Sequence, residues 1–402
     1  MRVLILYDKP VHNAIDGSGA TLEELAKFLV SSNNEVLILS LGKRNNKITK
    51  DFDEICIKSK STNSKNIIIS AVNNFSLKLF SRPVFYYRDI LEKMDEFNPN
   101  LVITQGLASL SVDFTAITKY YKRFRQKVRI IALTDDVRQI EEHIKVKRYL
   151  SSNNKKQMKF LAPIIIAMYG AVARHIAYNM YDTMVKDFDG ILFFTKEDLD
   201  HAIKRYKHYG KKFFVFRRPI KSYENSNIRY NLRDKLKTAL FVGNCNNLPN
   251  IEALDNIVGI ADKVNYVNFV VAGLGCNKRT NKNLKIVGYV KNLGALYLKA
   301  DIFIAPLKSG SGIKIKLLEC FKYGIPIIGT SIAFEGYPVK NGVNCIVEDE
   351  IAQYPNIIKE LCINYRARRR LSENSKKIMD YFSYDEANTV WQSIMESIFR
   401  GR

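Results

Sequence analysis

The segment Ser309–Tyr337, SGSGIKIKLLECFKYGIPIIGTSIAFEGY, decides the fold prediction for this chain. It follows the apolar run IFIA at 302–305, which predicts a buried strand, and it opens with two glycines, Gly310 and Gly312. From Ile313 onward, apolar residues recur at helical spacing until a Gly-Ile-Pro sequence ends the helix before a second apolar run. The segment therefore predicts a strand, a glycine loop, a helix and a strand.

This order of elements suits the binding of an anion. Glycines let backbone N–H groups approach an anion closely, and the start of a helix adds its positive dipole end at the same place. Lys314 and Lys316 fall in the first turn of the predicted helix, where the dipole disfavours cations, so a bound diphosphate would account for them. The alternative is that both lysines are merely solvated.

Three runs of this segment resemble the nucleotide-binding signature of GT-B glycosyltransferases, in particular the large retaining family 4: GSGIKIKLLE at 310–319, YGIPIIGTS at 323–331 and AFEG at 333–336. The resemblance implies that Glu319 holds the ribose hydroxyls of a sugar nucleotide and that the preceding loop holds its diphosphate. Many family members carry a second acidic residue eight positions earlier, where it contacts the donor sugar. Ser311 stands at that position here, so the resemblance does not indicate the donor sugar.

The composition indicates a folded protein with anionic partners. The chain has 402 residues, of which 47% are hydrophobic, enough for two or three domains with real cores. Its 63 Lys and Arg residues against 40 Asp and Glu residues give a formal charge of +23, which favours nucleotides, anionic lipid or nucleic acid as partners. No motif of the known nucleic-acid-binding modules occurs, so nucleic acid is not expected.

The six cysteines show no CxxC and no Cys/His pairing at metal-ligand spacing. We expect them to be reduced core residues of a cytoplasmic protein, and we expect no metal site. The first seven residues, MRVLILY, predict a strand and are too short for a signal peptide. No run of about 18 apolar residues occurs, so no transmembrane helix is expected.

The beginning of the chain predicts a Rossmann-like unit. A strand at 3–6, a loop at 8–19 with Gly17 and Gly19, and a helix at 21–30 follow one another. The loop lacks the GxGxxG fingerprint, so a nicotinamide cofactor is not expected, and no other cofactor is expected. In the resembled family this loop approaches the donor phosphate or the acceptor, which would make Gly17 and Gly19 substrate-binding residues; a plain turn is the alternative.

Further apolar runs at 101–104, 128–133 and 190–194 predict parallel strands separated by helices. Polar residues follow each run, at 104–106, 134–136 and 195–197, where a ligand is expected. Asp135 and Asp136 are the main candidates for acid/base or acceptor-binding roles, although an Asp after a strand often only caps a helix. His12, in the first loop, is a further catalytic candidate.

The second half of the chain opens with the run FVGNCNNLPNIEAL at 241–254, which resembles the start of the second GT-B domain. Many relatives carry an Arg and a Lys after the first strand of this domain, but residues 244–250 contain neither, so Lys314 and Lys316 are expected to compensate. Lys314 is expected to be catalytic, by stabilising the leaving diphosphate. The other residues expected to bind the donor here are Gly243, Gly273, Tyr289, Val290, Gly310, Ser311, Gly312, Ile313, Lys316 and Glu319.

Two regions combine aromatic with basic residues: FSRPVFYYR at 80–88, and 119–159, which holds 13 Lys and Arg against four Asp and Glu. An uncharged run of 13 residues at 161–173 follows. Together they suit an anionic membrane surface, whereas a core helix beside a solvated basic face is the alternative.

The arginines at 366 and 368–370 are expected to form a solvated basic turn.

The sequence therefore predicts an α/β protein of GT-B fold, with two Rossmann-like domains facing a cleft. The acceptor domain would comprise 1–220 with the C-terminal helix 384–402, and the nucleotide-sugar domain 221–383. The resemblance implies a retaining, metal-independent glycosyltransferase, cytoplasmic or peripheral on the inner face of a membrane, acting on a glycan or lipid-linked acceptor. The alternatives are a nucleotide-sugar epimerase and a non-catalytic subunit that binds membrane or nucleic acid.

Overall fold

The computed structural model describes residues 1–7, 9–11, 17–42, 47–48, 52–58, 87–105, 114–125, 127–134, 178–179, 181–221, 233–276 and 282–400. The described residues divide into two units. Unit 1 comprises those within Met1–Ile140, Ala167–Lys221 and Tyr384–Arg402, and unit 2 those within Ser222–Ser383.

Unit 1 is built on a sheet whose described strands are β1 (Arg2–Tyr7), β2 (Glu35–Gly42), β3 (Lys47–Ile48), β4 (Asp53–Lys58), β5 (Leu101–Gln105), β6 (Arg129–Thr134), β7 (Gly190–Phe193) and β8 (Phe213–Val215). Their order is β3-β4-β2-β1-β5-β6-β7-β8, and all neighbours pair in parallel except β3 with β4. Strands β6 and β7 are buried along their whole length, because a parallel sheet is covered on both faces and takes continuous apolar runs.

The helices of unit 1 are α1 (Gly17–Ser31), α2 (Tyr87–Phe97), α3 (Phe114–Phe124), α4 (Lys196–Arg205) and the last helix of the chain, α10 (Tyr384–Arg400). Residues 181–187 are also helical. Helix α10 packs through Trp391, whose ring centre lies 5.3 Å from that of Phe216 and 6.5 Å from that of Phe28 on α1. These aromatic contacts hold the C-terminal end of the chain in unit 1.

Unit 2 contains a second sheet of six described strands: β9 (Thr238–Val242), β10 (Asn268–Ala272), β11 (Leu284–Gly288), β12 (Ile302–Ala305), β13 (Ile327–Gly329) and β14 (Ile346–Val347). Their order is β11-β10-β9-β12-β13-β14, with every pair parallel. The helices are α5 (Leu248–Lys263), α6 (Gly294–Lys299), α7 (Ile315–Tyr323), α8 (Tyr354–Ile363) and α9 (Tyr365–Lys376). Two parallel sheets alternating with helices confirm the predicted α/β class.

Helix α7 begins two residues later than the sequence predicted. Lys314 has φ −88° and ψ 85°, so it caps the helix and only Lys316 lies in the first turn. The helix ends at Gly324, whose φ of 69° is left-handed and whose missing Cβ would lie 2.4 Å from Lys376 Cε. The left-handed backbone favours glycine there, whereas the flexible Lys376 side chain could move away from an added Cβ.

Two other expectations need correction. Helix α1 begins at Gly17, so Gly17 and Gly19 lie in its first turn and not in the predicted loop. Arg368 was expected in a solvated basic turn, but it is 0% exposed in the core of unit 2. Its guanidinium is buried because it donates hydrogen bonds to backbone carbonyls, which charge periodicity does not reveal.

Candidate functional site

The candidate site is the edge of the unit 2 sheet where its parallel strands end. Because all six strands point the same way, the segments after β9, β10 and β12 emerge at one edge. The predicted glycine loop, 309–314, is the segment after β12.

Three glycines bring neighbouring strand ends into close contact. Gly243 after β9 donates its N–H to the carbonyl of Ala272 at 2.9 Å, and Gly273 after β10 donates to that of Gly288 at 2.8 Å. Gly273 has a φ of 148°, and a Cβ there would lie 1.7 Å from the Gly243 oxygen. A side chain at this position would force the two backbones apart, so Gly273 has a packing reason in addition to its predicted role.

Two cysteines beside these glycines are joined to each other. Cys245 follows Gly243, Cys276 follows Gly273, and a disulfide links them with their Cα atoms 5.0 Å apart. The expectation that all six cysteines are reduced is therefore wrong for this pair. The other four are free.

The glycine loop after β12 contacts the start of α5. Ser309 donates its hydroxyl hydrogen to Glu252 Oε2 at 2.7 Å, and Gly310, with a φ of 130°, lies against Pro249. Gly312 is also left-handed, with a φ of 67°. The loop 309–314 and the segment 244–250 therefore form one continuous surface at the sheet edge.

Lys314 is a buried member of an ion pair. Its Nζ lies 3.0 Å from Glu335 Oε2 and 2.9 Å from the carbonyl oxygen of Gly312, while its own carbonyl accepts a hydrogen bond from the Tyr337 hydroxyl. Both charged side chains are largely withdrawn from solvent, with 7% and 15% of their areas exposed. Lys314 thereby fixes the glycine loop to the segment that contains Glu335.

Lys316 has different contacts from Lys314. Its Nζ donates to Asn250 Oδ1 at 2.5 Å and lies 4.5 Å from the centre of the Phe241 ring. Burial, together with the neighbouring charge of Lys314, lowers the pKa of Lys316 to about 7. The lysine side chain thus brings an amine to segment 244–250, which contains no basic residue of its own.

Glu319, Tyr289 and Val290 are the remaining residues of unit 2 that the resemblance assigned to the nucleotide. Glu319 is in the middle of α7, with 45% of its side chain exposed and its Oε2 3.9 Å from Lys322 Nζ. Tyr289, directly after β11, is 55% exposed, and Val290 is half-buried. Both the Glu319 carboxylate and the Tyr289 ring are accessible to a ligand.

Most of the residues predicted in unit 1 lie outside the described part of the chain. This holds for His12, Asp135, Asp136, the apolar run 161–173 and most of its basic flank, whose predicted roles stay predictions. Gln105 ends β5 with a buried amide oxygen that has no hydrogen-bond partner among the described residues. Thr195 caps α4 by accepting from the Asp198 N–H, so the polar residues after β7 have a structural role.

Sequence reasoning missed four residues of this site: Phe241, Asn250, Glu252 and Glu335. One indirect signal was present: segment 244–250 has no basic residue, so a cation that binds the diphosphate there has to come from another segment. Glu335 lies within the AFEG run, but its pairing with Lys314 joins positions 21 residues apart and left no local pattern. No three His, Cys, Asp or Glu side chains cluster as a metal site would require anywhere in the described ranges.

The family described as "Glycosyl transferases group 1" matches residues 237–364, which contain the whole of this edge. This segment is therefore similar to the glycosyl transferases group 1 family. The predicted enzyme class, glycosyltransferase, agrees with that description. The match covers β9 to α8, the same part of the chain in which the resemblance had its specific motifs.

Curated relatives match over part of their length. The chain is 23% identical over 172 residues to the O-antigen biosynthesis glycosyltransferase WclY of Escherichia coli, covering 40% of this chain and 48% of that one. It is 26% identical over 110 residues to an uncharacterised 44.6 kDa protein in the cps region of Klebsiella pneumoniae, covering 27% of each. The chain thus spans about half the length of one relative and about a quarter of the other.

Solved structures resemble the chain over its full length. Sucrose-phosphate synthase from Thermosynechococcus elongatus superposes with a TM-score of 0.67 at 11% identity, covering 100% of both chains. HepE of Anabaena, solved in complex with UDP, superposes with a TM-score of 0.64 at 11% identity, covering 99% of this chain and 100% of that one. The fold is therefore GT-B, as predicted.

Proposed function

We propose that this protein is a glycosyltransferase that moves a sugar from a nucleotide-sugar donor to a glycan or lipid-linked acceptor. The observation that carries the proposal is in unit 2: a glycine loop and two lysine amines lie at the sheet edge, an accessible glutamate lies on the helix that follows, and all of them fall within the segment that matches the glycosyl transferases group 1 family. Unit 2 would bind the donor and unit 1 the acceptor.

The donor half of the proposal is supported by charge and by geometry. The left-handed glycines Gly310 and Gly312 open the backbone for an anion, and Lys316 brings an amine to the adjoining segment. The solved relative HepE contains UDP. A nucleoside diphosphate joined to a sugar is therefore the ligand class that we propose for unit 2.

We propose that the reaction retains the anomeric configuration and does not need a metal. Cleavage of the bond at the anomeric carbon leaves extra negative charge on the departing diphosphate. Loop N–H groups and lysine ammonium groups interact more strongly with that charge than with the intact donor, so they lower the barrier. Glu319 would accept hydrogen bonds from the ribose hydroxyls and hold the donor in place.

The acceptor half rests on unit 1. Asp135 directly follows Thr134, the last residue of β6, and the neighbouring strand β5 ends at Gln105, so the two strand ends lie side by side. We propose that this edge receives the acceptor, with Asp135, Asp136 or His12 as its acid/base groups. The relative WclY is described as an O-antigen biosynthesis enzyme, which supports a glycan as the acceptor.

A thermal-shift panel tests the proposal directly. UDP, GDP, ADP and TDP, each with its glucose conjugate, are added in turn, and a ligand that binds only the native protein raises its melting temperature. The ligand that raises it most is then used as donor in a transfer assay with lipid-linked and soluble glycans. A panel without any shift would contradict donor binding by unit 2.

Glu319→Ala is expected to weaken donor binding at least tenfold. Loss of a charged hydrogen-bond partner costs about 1.5–3 kcal/mol, which corresponds to a factor of ten or more in affinity. Calorimetry with the panel's tightest ligand measures the change. The matched control is Glu360→Ala, since Glu360 is an exposed glutamate of α8 away from the sheet edge.

Equal affinities for the Glu319 and Glu360 variants would contradict the ribose assignment. Because the Glu319 side chain is 45% exposed and its ion pair with Lys322 is long, at 3.9 Å, its replacement is not expected to unfold unit 2. A melting temperature close to that of the unaltered protein separates lost binding from lost structure. A large fall would show instead that Glu319 is structural.

Unit 1 is proposed to meet an anionic membrane surface, peripherally and on the cytoplasmic side. In the described part of this region, Lys122 is paired with Asp189 and Arg125 with Asp95, so these two cations are partly neutralised within the protein. Tyr121 is buried, whereas Phe124 is 67% exposed. In the described ranges, no helix has both the length and the apolar character to cross a bilayer.

Vesicle flotation tests this membrane proposal. We expect binding to vesicles with anionic lipid that decreases with salt, because each Lys or Arg near such a surface contributes about 1 kcal/mol and salt screens it. Vesicles of neutral lipid alone are the control. Equal recovery with both kinds of vesicle would contradict an electrostatic membrane contact.

A further inference from the structure

Lys316 differs from Lys314 and Lys322 in having no acidic partner among the described residues. Lys314 is paired with Glu335 at 3.0 Å, and Lys322 lies 3.9 Å from Glu319. Lys316 has only a neutral amide oxygen, Asn250 Oδ1, and the face of an aromatic ring. Among the described residues no carboxylate forms an ion pair with it, although an ammonium group carries three donors.

The two side chains that contact the Lys316 amine carry no negative charge. The elements that face it from the sheet and from α5 present Phe241 and Asn250, both uncharged. Glu252 of α5 accepts a hydrogen bond from Ser309, and the other titratable neighbours are Lys314 and the buried thiol of Cys320. A charged Lys316 is therefore half-buried beside the like charge of Lys314, without an acidic partner of its own among the described residues.

We propose that Lys316 is the counter-ion of the donor diphosphate and that donor binding is coupled to the uptake of a proton by Lys316. This inference rests on the proposed binding of a nucleotide-sugar by unit 2. The proton comes from solvent and bonds to the lone pair of Nζ when the phosphate oxygens arrive. The amine then takes the place of the basic residues that segment 244–250 lacks.

The direction of the coupling follows from the environment. Burial and the Lys314 charge lower the pKa of Lys316 to about 7, so the amine is largely neutral at pH 8 in the free protein. A bound diphosphate favours the charged form and raises that pKa. Donor binding should then take up more of a proton at pH 8 than at pH 6, and affinity should fall about tenfold or more from pH 6 to pH 9.

Calorimetry in buffers with different ionisation enthalpies measures this uptake. The probe is the nucleotide-glucose conjugate that the thermal-shift panel selects, because its phosphates do not titrate between pH 6 and pH 9. Titrations at pH 6 and pH 8 in two buffers each give the number of protons taken up. The variants are Lys316→Met, which has no amine, and Lys316→Arg, which stays charged at both values.

The matched control is Lys263→Met, since Lys263 is an exposed lysine at the end of α5. We expect uptake in the unaltered protein and in the control, and none in either Lys316 variant. Far-UV circular dichroism verifies that the variants are folded, and if Lys316→Met does not fold, Lys316→Arg alone decides the outcome.

Three results would overturn the coupling. Tight donor binding without uptake at pH 8 would show that Lys316 is already charged, while the proposed function would stand. Uptake that persists in the folded Lys316 variants would assign the proton to another group. Absence of binding even at pH 6, where Lys316 is charged, would contradict both this inference and the proposed function.

Discussion

Lys314→Met is expected to lower the stability of unit 2 by about 3 kcal/mol and to lower kcat about 10²-fold. The stability effect follows from the buried pair, because removal of Lys314 leaves the Glu335 carboxylate buried without its cation. The kinetic effect follows from the proposed role of Lys314 beside the leaving diphosphate. We expect a smaller change in the KM of the donor, since the charge acts mainly in the transition state.

The double variant Lys314→Met, Glu335→Gln separates these two effects. It removes both charges of the pair, so it should recover much of the lost stability while kcat stays low. Far-UV circular dichroism is the signal for unit 2, because the single tryptophan, Trp391, lies in unit 1. Recovery of kcat together with stability would show that Lys314 acts only by holding Glu335.

Arg368→Met is expected to destabilise unit 2 by about 4 kcal/mol or more, since each buried acceptor that loses a charged donor costs about 1–3 kcal/mol. The guanidinium donates from Nη1 to the carbonyls of Leu361 and Cys362 and from Nη2, at 2.7 Å, to those of Arg233 and Asp234. The first two carbonyls lie at the C-terminal end of α8, where the helix dipole also favours a cation.

The matched control for this prediction is the next residue, Arg369→Met. Arg369 forms an exposed pair with Glu373 at 2.8 Å, and such surface pairs contribute little. We expect its urea midpoint to equal that of the unaltered protein, whereas the midpoint of Arg368→Met falls. Equal midpoints for the two variants would show that the hydrogen bonds from Arg368 to the four carbonyls do not stabilise unit 2.

The adjacent arginines show where sequence reasoning reached its limit. Residues 366 and 368–370 form one basic run, and nothing in their spacing distinguishes the buried member from the exposed ones. The distinction depends on the carbonyls of Arg233 and Asp234, which lie 135 and 134 residues earlier in the chain. The same holds for Cys245 and Cys276, whose disulfide joins positions 31 residues apart.

The alternation of strands and helices, and the stop of α7 at Gly324, could be predicted because each depends on neighbouring residues. Apolar runs bury strands, helical spacing marks helices, and glycine is favoured where the backbone turns left-handed. The positions of the glycine loop and of Glu319 followed from the same local patterns and from the family resemblance. The start of α7 was missed by two residues, because the backbone of Lys314 is shaped by its tertiary contacts.

The sequence by itself determined two parallel α/β sheets and an anion-binding loop after β12, since local sterics and hydrophobic periodicity specify them. Only the tertiary structure decided what each lysine of that loop contacts. Lys314 contacts Glu335, 21 residues away in the chain, and Lys316 contacts Asn250, 66 residues away. The reason is physical: the pKa and the charge state of a buried amine depend on which groups packing brings within a few ångströms, and packing joins residues that the sequence keeps apart.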